Sequence, residues 1–187
     1  MIGGKSMKQH KLTKGSLLDA KGRLIEAGYH TSLIKTYDKK LVKHKRFRLK
    51  EWDYYYVGNK NYGLALTVAD NGYMWLLSVT LLDFQQKSEL SKMKMGFIPF
   101  KRFNMPETSE TGDISIKKGK WEISFKHGRT QRHLEAYIPN FKDKEPLIVD
   151  IYLDEMINDS MVIATPFEKR HKFYYNQKIN MLKSSGK

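Results

Sequence analysis

Residues 51–84, EWDYYYVGNKNYGLALTVADNGYMWLLSVTLLDF, decide the fold class. Trp52, Tyr54 and Tyr56 alternate with other residues, and this period of two in ring-bearing residues predicts a β-strand. Gly58 to Asn61 and Asp70 to Gly72 are turn signals, because Gly and Asn adopt positive φ at low cost. Three strands joined by short turns form an antiparallel meander.

The same rhythm continues to residue 180, and only residues 17–40 leave room for a short helix. About ten short strands at this spacing predict an all-β, antiparallel protein, either a lipocalin-like barrel or a strongly curved sheet, with little helix. We expect a flexible leader over residues 1–15, a single domain over 16–180 and a flexible tail over 181–187. The further strands are predicted at 62–69, 73–84, 92–98, 113–117, 121–126, 131–138, 147–153, 161–165 and 172–179.

Composition excludes several classes of protein. The 187 residues contain no cysteine, which excludes disulfides, thiolate metal sites and cysteine nucleophiles. No apolar run is long enough for a membrane span, and no secretory signal begins the chain, so a cytoplasmic protein is predicted. The net charge is +14, with eight cations between Lys35 and Lys50 opposed only by Asp38. This basic stretch is either a solvated strand edge or a contact surface for phosphates.

Carboxylates and rings are the side chains that could carry a function. Glu51, Asp53, Asp70 and Asp83 lie in or beside the aromatic stretch, where loss of solvation raises the pKa of a carboxyl group. Such an acid could protonate a substrate, but turn hydrogen bonds and ion pairs would explain the same residues. A shared face of Trp52, Tyr54 and Tyr56 would be core packing, the wall of a ligand cavity, or a stacking platform for bases.

Dedicated catalytic and metal motifs are missing from the sequence. The six histidines lack the spacing that aims two imidazoles at one metal, and there is no phosphate loop or nucleophile elbow. No catalytic residue, metal site or cofactor is therefore predicted, and whether the protein is an enzyme stays open.

Six ordered motifs between His10 and Asn180 resemble the domain-of-unknown-function family 2804. They are Arg48–Tyr55, Leu66–Asn71 with Tyr73–Met74, Leu82–Phe84, Met105–Ser109 with Gly112–Asp113, Met161–Phe167 and Phe173–Asn180. Members of that family are longer, so the resemblance implies that this chain is an amino-terminal portion whose carboxy-terminal half would be a partner. An edge left uncovered by that half could pair with a second copy.

The longer members are similar to two-barrel, lipocalin-like proteins such as carotenoid hydratases and tocopherol cyclases. This resemblance implies a module that binds an apolar, lipid- or isoprenoid-like molecule or forms half of a two-barrel protein. The alternatives are a hydratase, isomerase or cyclase acting on an apolar substrate, and a basic module that binds nucleic acid or an anionic membrane. The last alternative requires Lys43, Arg46, Arg48 and Lys50 on one face with exposed rings. The motif residues predicted to bind the ligand are Trp52, Tyr54, Asp70, Asn71, Tyr174, Asn176 and Gln177.

Overall fold

The computed structural model describes residues 9–43, 45–97, 103–155, 160–169 and 171–187. It confirms an all-β protein, and over these residues helix is limited to a 3₁₀ turn at Lys39–Leu41 and one α-helical turn, α1, at Lys45–Arg48. Among the described residues, no helix has the length and apolar character needed to cross a bilayer. The strands form four separate sheets in this part of the chain, and a closed barrel, one of the two architectures expected from the sequence, is not found there.

The chain divides into two compact units. Unit 1 comprises Met1–Lys43 and Met156–Leu182, and unit 2 comprises His44–Glu155 and Lys183–Lys187. This differs from the expected single domain over residues 16–180. Both units are built from segments distant in sequence, and local periodicity carries no information about such pairings.

Unit 2 contains two antiparallel sheets. Sheet I has the order β4-β5-β6-β7 and sheet II the order β14-β11-β10-β9-β8. The strands of sheet I are β4 Glu51–Gly58, β5 Tyr62–Asp70, β6 Met74–Asp83 and β7 Ser88–Phe97. Those of sheet II are β8 Ile114–Lys118, β9 Trp121–His127, β10 Gln131–Lys142, β11 Glu145–Asp154 and β14 Lys183–Gly186. Every strand predicted between residues 51 and 153 overlaps one of these, so the meander is confirmed. The prediction 73–84 exceeds β6 by one residue at each end, the prediction 113–117 begins one residue before β8, and residue 98 of the prediction 92–98 lies outside the described residues.

The two sheets of unit 2 contact each other through their inner faces. The Tyr55 ring of sheet I lies 4.6 Å from the Phe125 ring of sheet II, centroid to centroid. Lys94 Nζ of β7 donates a hydrogen bond to Lys118 O of β8 across 2.9 Å. Fully buried aliphatic side chains fill the inner faces, and they are Leu66, Val68, Leu77, Val79, Ile123, Leu134 and Ile138. This core gives unit 2 its hydrophobic stability.

Unit 1 consists of short strands. The strands are β1 Gly15–Ser16, β2 Gly28–His30, β3 Lys35–Thr36, β12 Met161–Pro166 and β13 Phe173–Lys178. One sheet has the order β13-β12-β2, and β1 pairs with β3 in parallel. The sequence analysis predicted β12 and β13 but missed β1, β2 and β3, which are only two or three residues long.

The ends predicted to be flexible make contacts where the structure describes them. In the leader, Leu12 is buried and its N–H donates to Tyr29 O. In the tail, β14 pairs with β11: Lys183 lies opposite Asp154, and Gly186 lies opposite Ile151. Its side chains are exposed, so backbone hydrogen bonds rather than apolar burial hold this strand, and the hydropathy pattern gave no signal for it.

Candidate functional site

The outer face of sheet I, which points away from sheet II, is the first candidate site. Cross-strand partners lie on the same face, and the register places Trp52 opposite Ala69, Tyr54 opposite Thr67 and Tyr56 opposite Ala65. The expected shared face of three rings is therefore confirmed. These rings point outward, however, and their exposed fractions are 45%, 57% and 49%.

Of the three interpretations of this face, core packing is therefore wrong, and the partners on β5 explain why. The inner positions of β4 are Asp53, Tyr55 and Val57, and they lie opposite Val68, Leu66 and Leu64. These branched aliphatic side chains form the core with sheet II, whereas the outer positions of β5 carry only small side chains. The bulky rings of β4 therefore project beyond the small side chains of β5 that lie beside them.

The outer face continues to the opposite edge strand, β7. Two rows illustrate the pattern. One row runs Trp52, Ala69, Leu76, Met95, and the next runs Tyr54, Thr67, Ser78, Met93. Met93, Met95 and Phe97 on β7 are all exposed. We call this surface the outer trough; its walls are Trp52, Tyr54, Tyr56, Met93, Met95 and Phe97, and its floor is Ala65, Thr67, Ala69, Leu76, Ser78 and Thr80.

The outer trough is almost uncharged. The outer positions of the four strands carry one charged side chain, Glu89, which lies opposite Leu82 at one end. The chain as a whole contains 34 Lys and Arg and 20 Asp and Glu. The inner face of the same sheet, by contrast, carries Asp53, Lys92 and Lys94. The outer face of sheet I therefore lacks the charged side chains usual on the solvated face of an antiparallel sheet.

The second candidate site is a buried polar cluster between the sheets of unit 2. Arg132 on β10 is 6% exposed, and its guanidinium donates hydrogen bonds to three groups. Its Nε donates to Glu155, its Nη1 donates to Tyr55 Oη across 3.0 Å, and its Nη2 donates to Ser109 O across 2.7 Å. The guanidinium thereby joins β4, β10, the segment before β8 and the residue after β11.

Asp53 and His127 complete this cluster. Burial raises the pKa of the Asp53 carboxyl group, although the positive charges of His127 and Arg132 oppose the shift. Burial also lowers the pKa of His127, and Arg132 adds to that effect. Both ring nitrogens of His127 are buried without a hydrogen-bond partner among the described residues. Tyr55 has its pKa raised, again chiefly by burial. The raised pKa predicted for a carboxyl in the aromatic stretch is therefore confirmed for Asp53.

The predicted ligand-binding residues divide between the two units. Trp52 and Tyr54 lie in walls of the outer trough, and Tyr174, Asn176 and Gln177 lie on β13 of unit 1. Gln177 Nε2 donates to Ser160 Oγ across 2.8 Å, and Asn176 Oδ1 is buried with no partner among the described residues. The structure therefore places these residues on two separate sheets rather than on one.

Asp70 and Asn71 have structural positions at the end of β5. Asp70 is fully buried, and its two carboxylate oxygens accept hydrogen bonds from the backbone N–H groups of Gly72 and Phe103, each across 2.9 Å. Asn71 N–H donates to Met74 O in the β5–β6 turn. Asp70 lies opposite Glu51, on the inner side of the sheet. A ligand that contacts Trp52 on the outer face does not reach it.

The basic stretch from Lys35 to Lys50 is not uniformly exposed. The Lys35 side chain is 3% exposed, and its Nζ lies 2.6 Å from Glu26 Oε2. Glu26 also accepts hydrogen bonds from His10 and Thr13. The contact with Lys35 lowers the pKa of the Glu26 carboxyl group most, and the contacts with His10 and Thr13 lower it further. Lys43, Arg48 and Lys50 are exposed, whereas the side chain of Arg46 lies outside the described residues. Lys35 is therefore part of the structure of unit 1 and not of a phosphate-binding surface.

A pH dependence follows from Asp53. Because the folded state raises its pKa above 3.8, this carboxyl group stabilises the fold most at low pH, and its contribution is lost as the pH rises through the folded value. We expect Asp53→Asn to stabilise unit 2 relative to the wild type more at about pH 7 than at about pH 3.5. His127, with a lowered pKa, has the opposite dependence: its contribution is present above its unfolded value of 6.5 and is lost as the pH falls.

Urea unfolding followed by tryptophan fluorescence measures this effect. All three tryptophans, Trp52, Trp75 and Trp121, belong to unit 2, so the signal reports on that unit alone. Glu145→Gln, at the exposed start of β11, is the matched control and should show no such change with pH. An Asp53→Asn variant whose stability difference is the same at both pH values would contradict the assignment.

Taken together, the described residues define an all-β protein of two units with an exposed apolar sheet face and a buried ionisable cluster. The family described as "Domain of unknown function (DUF2804)" matches the chain over residues 8–187, and the chain belongs to that family. Comparison with the curated proteins and with the solved structures finds no match.

Proposed function

We propose that the outer trough binds an elongated apolar small molecule of lipid- or isoprenoid-like chemistry. The observation that carries this proposal is the pattern of the outer face: six large exposed apolar side chains on the two edge strands flank a floor of small side chains in which Leu76 is the one large residue. Exposed apolar surface of this extent marks a binding site more often than it occurs by chance. The proposal places the ligand on a sheet face, whereas a lipocalin encloses it in a barrel.

The dimensions of the outer trough suit one extended chain or a flat ring system. Three strand spacings separate the β4 and β7 backbones, which is about 14 Å, and the side chains of the two walls narrow this opening. Trp52 to Tyr56 spans four residue rises, about 13 Å along the strand. Methionine side chains adapt to irregular apolar shapes, so the β7 wall suits a ligand that lacks polar groups for specific recognition.

The charge distribution favours this ligand class over nucleic acid. A stacking platform for bases combines its rings with cations that follow the phosphates. The outer positions of β4 to β7 hold no Lys or Arg, and their one charge is that of Glu89. A polyanion would therefore meet rings without compensating charge along the strands.

The geometry also favours binding over acid catalysis in the outer trough. Asp53 and Tyr55, whose pKa values are raised, lie on the inner face of sheet I and alternate with the outward Trp52 and Tyr54. An acid that protonates a ligand must lie within hydrogen-bond reach of it. A ligand in the outer trough is separated from Asp53 by the sheet itself.

Binding of N-phenyl-1-naphthylamine, an uncharged fluorescent probe, tests the proposal. We expect Trp52→Ala and Met93→Ala each to weaken probe binding by about tenfold or more, because burying one such side chain contributes roughly 1.5–3 kcal/mol. Thr67→Phe should also block binding, since it fills the floor between Tyr54 and Met93 without removing either wall. Raising the salt concentration should leave probe affinity nearly unchanged.

Tyr137→Ala is the matched control. Tyr137 lies on β10, and its ring is 42% exposed, close to the exposure of Trp52. This variant should bind the probe as the wild type does. Equal losses in Tyr137→Ala and Trp52→Ala, or a steep fall of affinity with salt, would overturn the proposal. So would light scattering that shows a dimer separated by Thr67→Phe, because a second copy would then occupy the face.

A further inference from the structure

The two ends of the outer trough differ. At the β4 carboxyl end, the Tyr56 ring lies over the glycine pair Gly58 and Gly63, where a Cβ on Gly63 would be 2.6 Å from Tyr56 Oη. The Phe84 ring also reaches Gly63, at 3.1 Å from the same position. Two rings therefore fill the floor at this end and close it. At the other end, which we call the open end, the floor continues past Ala69 to Met74 and Phe97.

The open end carries cations. Lys50 directly precedes β4, and the Lys50 side chain is exposed. It lies two residues before Trp52, which occupies an outer position of β4. Arg48, the last residue of α1, is exposed as well. Gly72 fixes this segment beside the β5–β6 turn: its φ is +82°, and a Cβ there would lie 3.0 Å from both Leu49 O and Phe47 C. Close backbone packing thus holds both cations near the open end.

The two acidic groups described at this end of sheet I occupy inner positions. Asp70, at the same end, is fully buried and accepts two backbone N–H groups, and Glu51 occupies an inner position opposite it. The closed end is balanced, because Lys60 and Lys87 there are accompanied by Asp83 and Glu89. Among the described residues, the exposed cations Arg48 and Lys50 therefore lie at the open end, whereas Asp70 and Glu51 face inward there.

We propose that the ligand is a single amphiphile with a long apolar chain and a carboxylate head, with its head at Arg48 and Lys50 and its chain directed toward Tyr56. This inference rests on the proposed function and specifies the chemical class of the ligand. Lys50 to Tyr56 spans six residue rises, about 20 Å, which is enough for a long acyl chain. A carboxylate at an exposed pair of cations gains a modest, salt-sensitive attraction, whereas the chain supplies most of the affinity.

The test compares cis-parinaric acid, a fluorescent long-chain acid, with its methyl ester. We expect the wild-type protein to bind the acid roughly fivefold more tightly than the ester, and high salt to remove this preference. The double variant Arg48→Gln/Lys50→Gln should bind both probes with the affinity that the wild type has for the ester. The matched control Lys60→Gln/Lys87→Gln removes the same charge from the closed end and should keep the full preference.

The possible results separate this inference from the proposed function. If both probes bind equally and Trp52→Ala weakens both, the apolar site stands and the carboxylate assignment is overturned. If neither probe binds, the proposed function fails and this inference fails with it. If the wild type sediments with phosphatidylserine vesicles through Arg48 and Lys50 and shows no acid preference for the monomeric probes, the cations contact a membrane surface, and the proposal is overturned.

Discussion

Arg132→Met is expected to lower the free energy of unfolding of unit 2 by about 3–5 kcal/mol, the usual cost of removing one partner from a buried ion pair. Arg132 is 6% exposed and donates to Glu155, Tyr55 and Ser109. Methionine fills much of the same volume but donates no hydrogen bond. The Glu155 carboxylate would then keep its charge in a largely buried position, where solvation is poor.

Arg129→Met provides the matched control for this prediction. Arg129 lies in the same β9–β10 hairpin and is exposed, so its loss should change stability by less than about 0.5 kcal/mol. The measurement is urea unfolding followed by tryptophan fluorescence. Adding Glu155→Gln to Arg132→Met should recover part of the loss, because the uncompensated charge is then removed. Equal stability of the Arg132→Met and Arg129→Met variants would refute a stabilising role for the cluster.

Asp70→Ala is expected to destabilise unit 2 by about 3 kcal/mol, because two buried backbone N–H groups lose their acceptors at once. These are the N–H groups of Gly72, in the β5–β6 turn, and Phe103, which is distant in sequence. Asp70→Asn keeps one acceptor oxygen and should cost about half as much. Thermal unfolding by circular dichroism measures both variants.

Asp83→Ala is a close control because Asp83 makes a similar turn at the other end of sheet I. It accepts the N–H groups of Gln85 and Gln86, but those groups are exposed, so water can replace the carboxylate. We expect a loss of under about 1 kcal/mol. If Asp83→Ala is as destabilising as Asp70→Ala, burial is not the reason for the importance of Asp70.

The strands of unit 2 could be predicted from the sequence because their turns have chemical signatures. Asp70-Asn71-Gly72 forms the expected tight turn, with Gly72 at φ +82° and the Asn71 N–H bonded to Met74 O. The division into two units could not be predicted. It depends on strand pairs such as His30 with Val162, and no local sequence pattern predicts a pairing between residues so distant in sequence.

Hydropathy also could not predict on which face of sheet I the rings of β4 lie. Trp52, Tyr54 and Tyr56 alternate with Asp53, Tyr55 and Val57, and hydropathy does not separate the two sets, because Val57 offsets the charge of Asp53. The inner set is chosen by its partners on β5 and by Arg132 and His127, which balance Asp53. One signal for the buried cluster was present in the sequence: Arg132 is in phase with Leu134, Ala136 and Ile138, and a charged residue among apolar core positions requires a partner.

The discontinuity of the two units affects the order in which the chain folds during synthesis. Residues 44–155, which form most of unit 2, leave the ribosome before the segment that supplies β12 and β13 to unit 1. Domains generally fold as units while synthesis proceeds. The pairing of β2 with β12 must therefore wait until the inserted residues have emerged, and β14 is added to sheet II as its last strand. During translation, the edge of β2 consequently stays without its β12 partner until residues 161–166 are made.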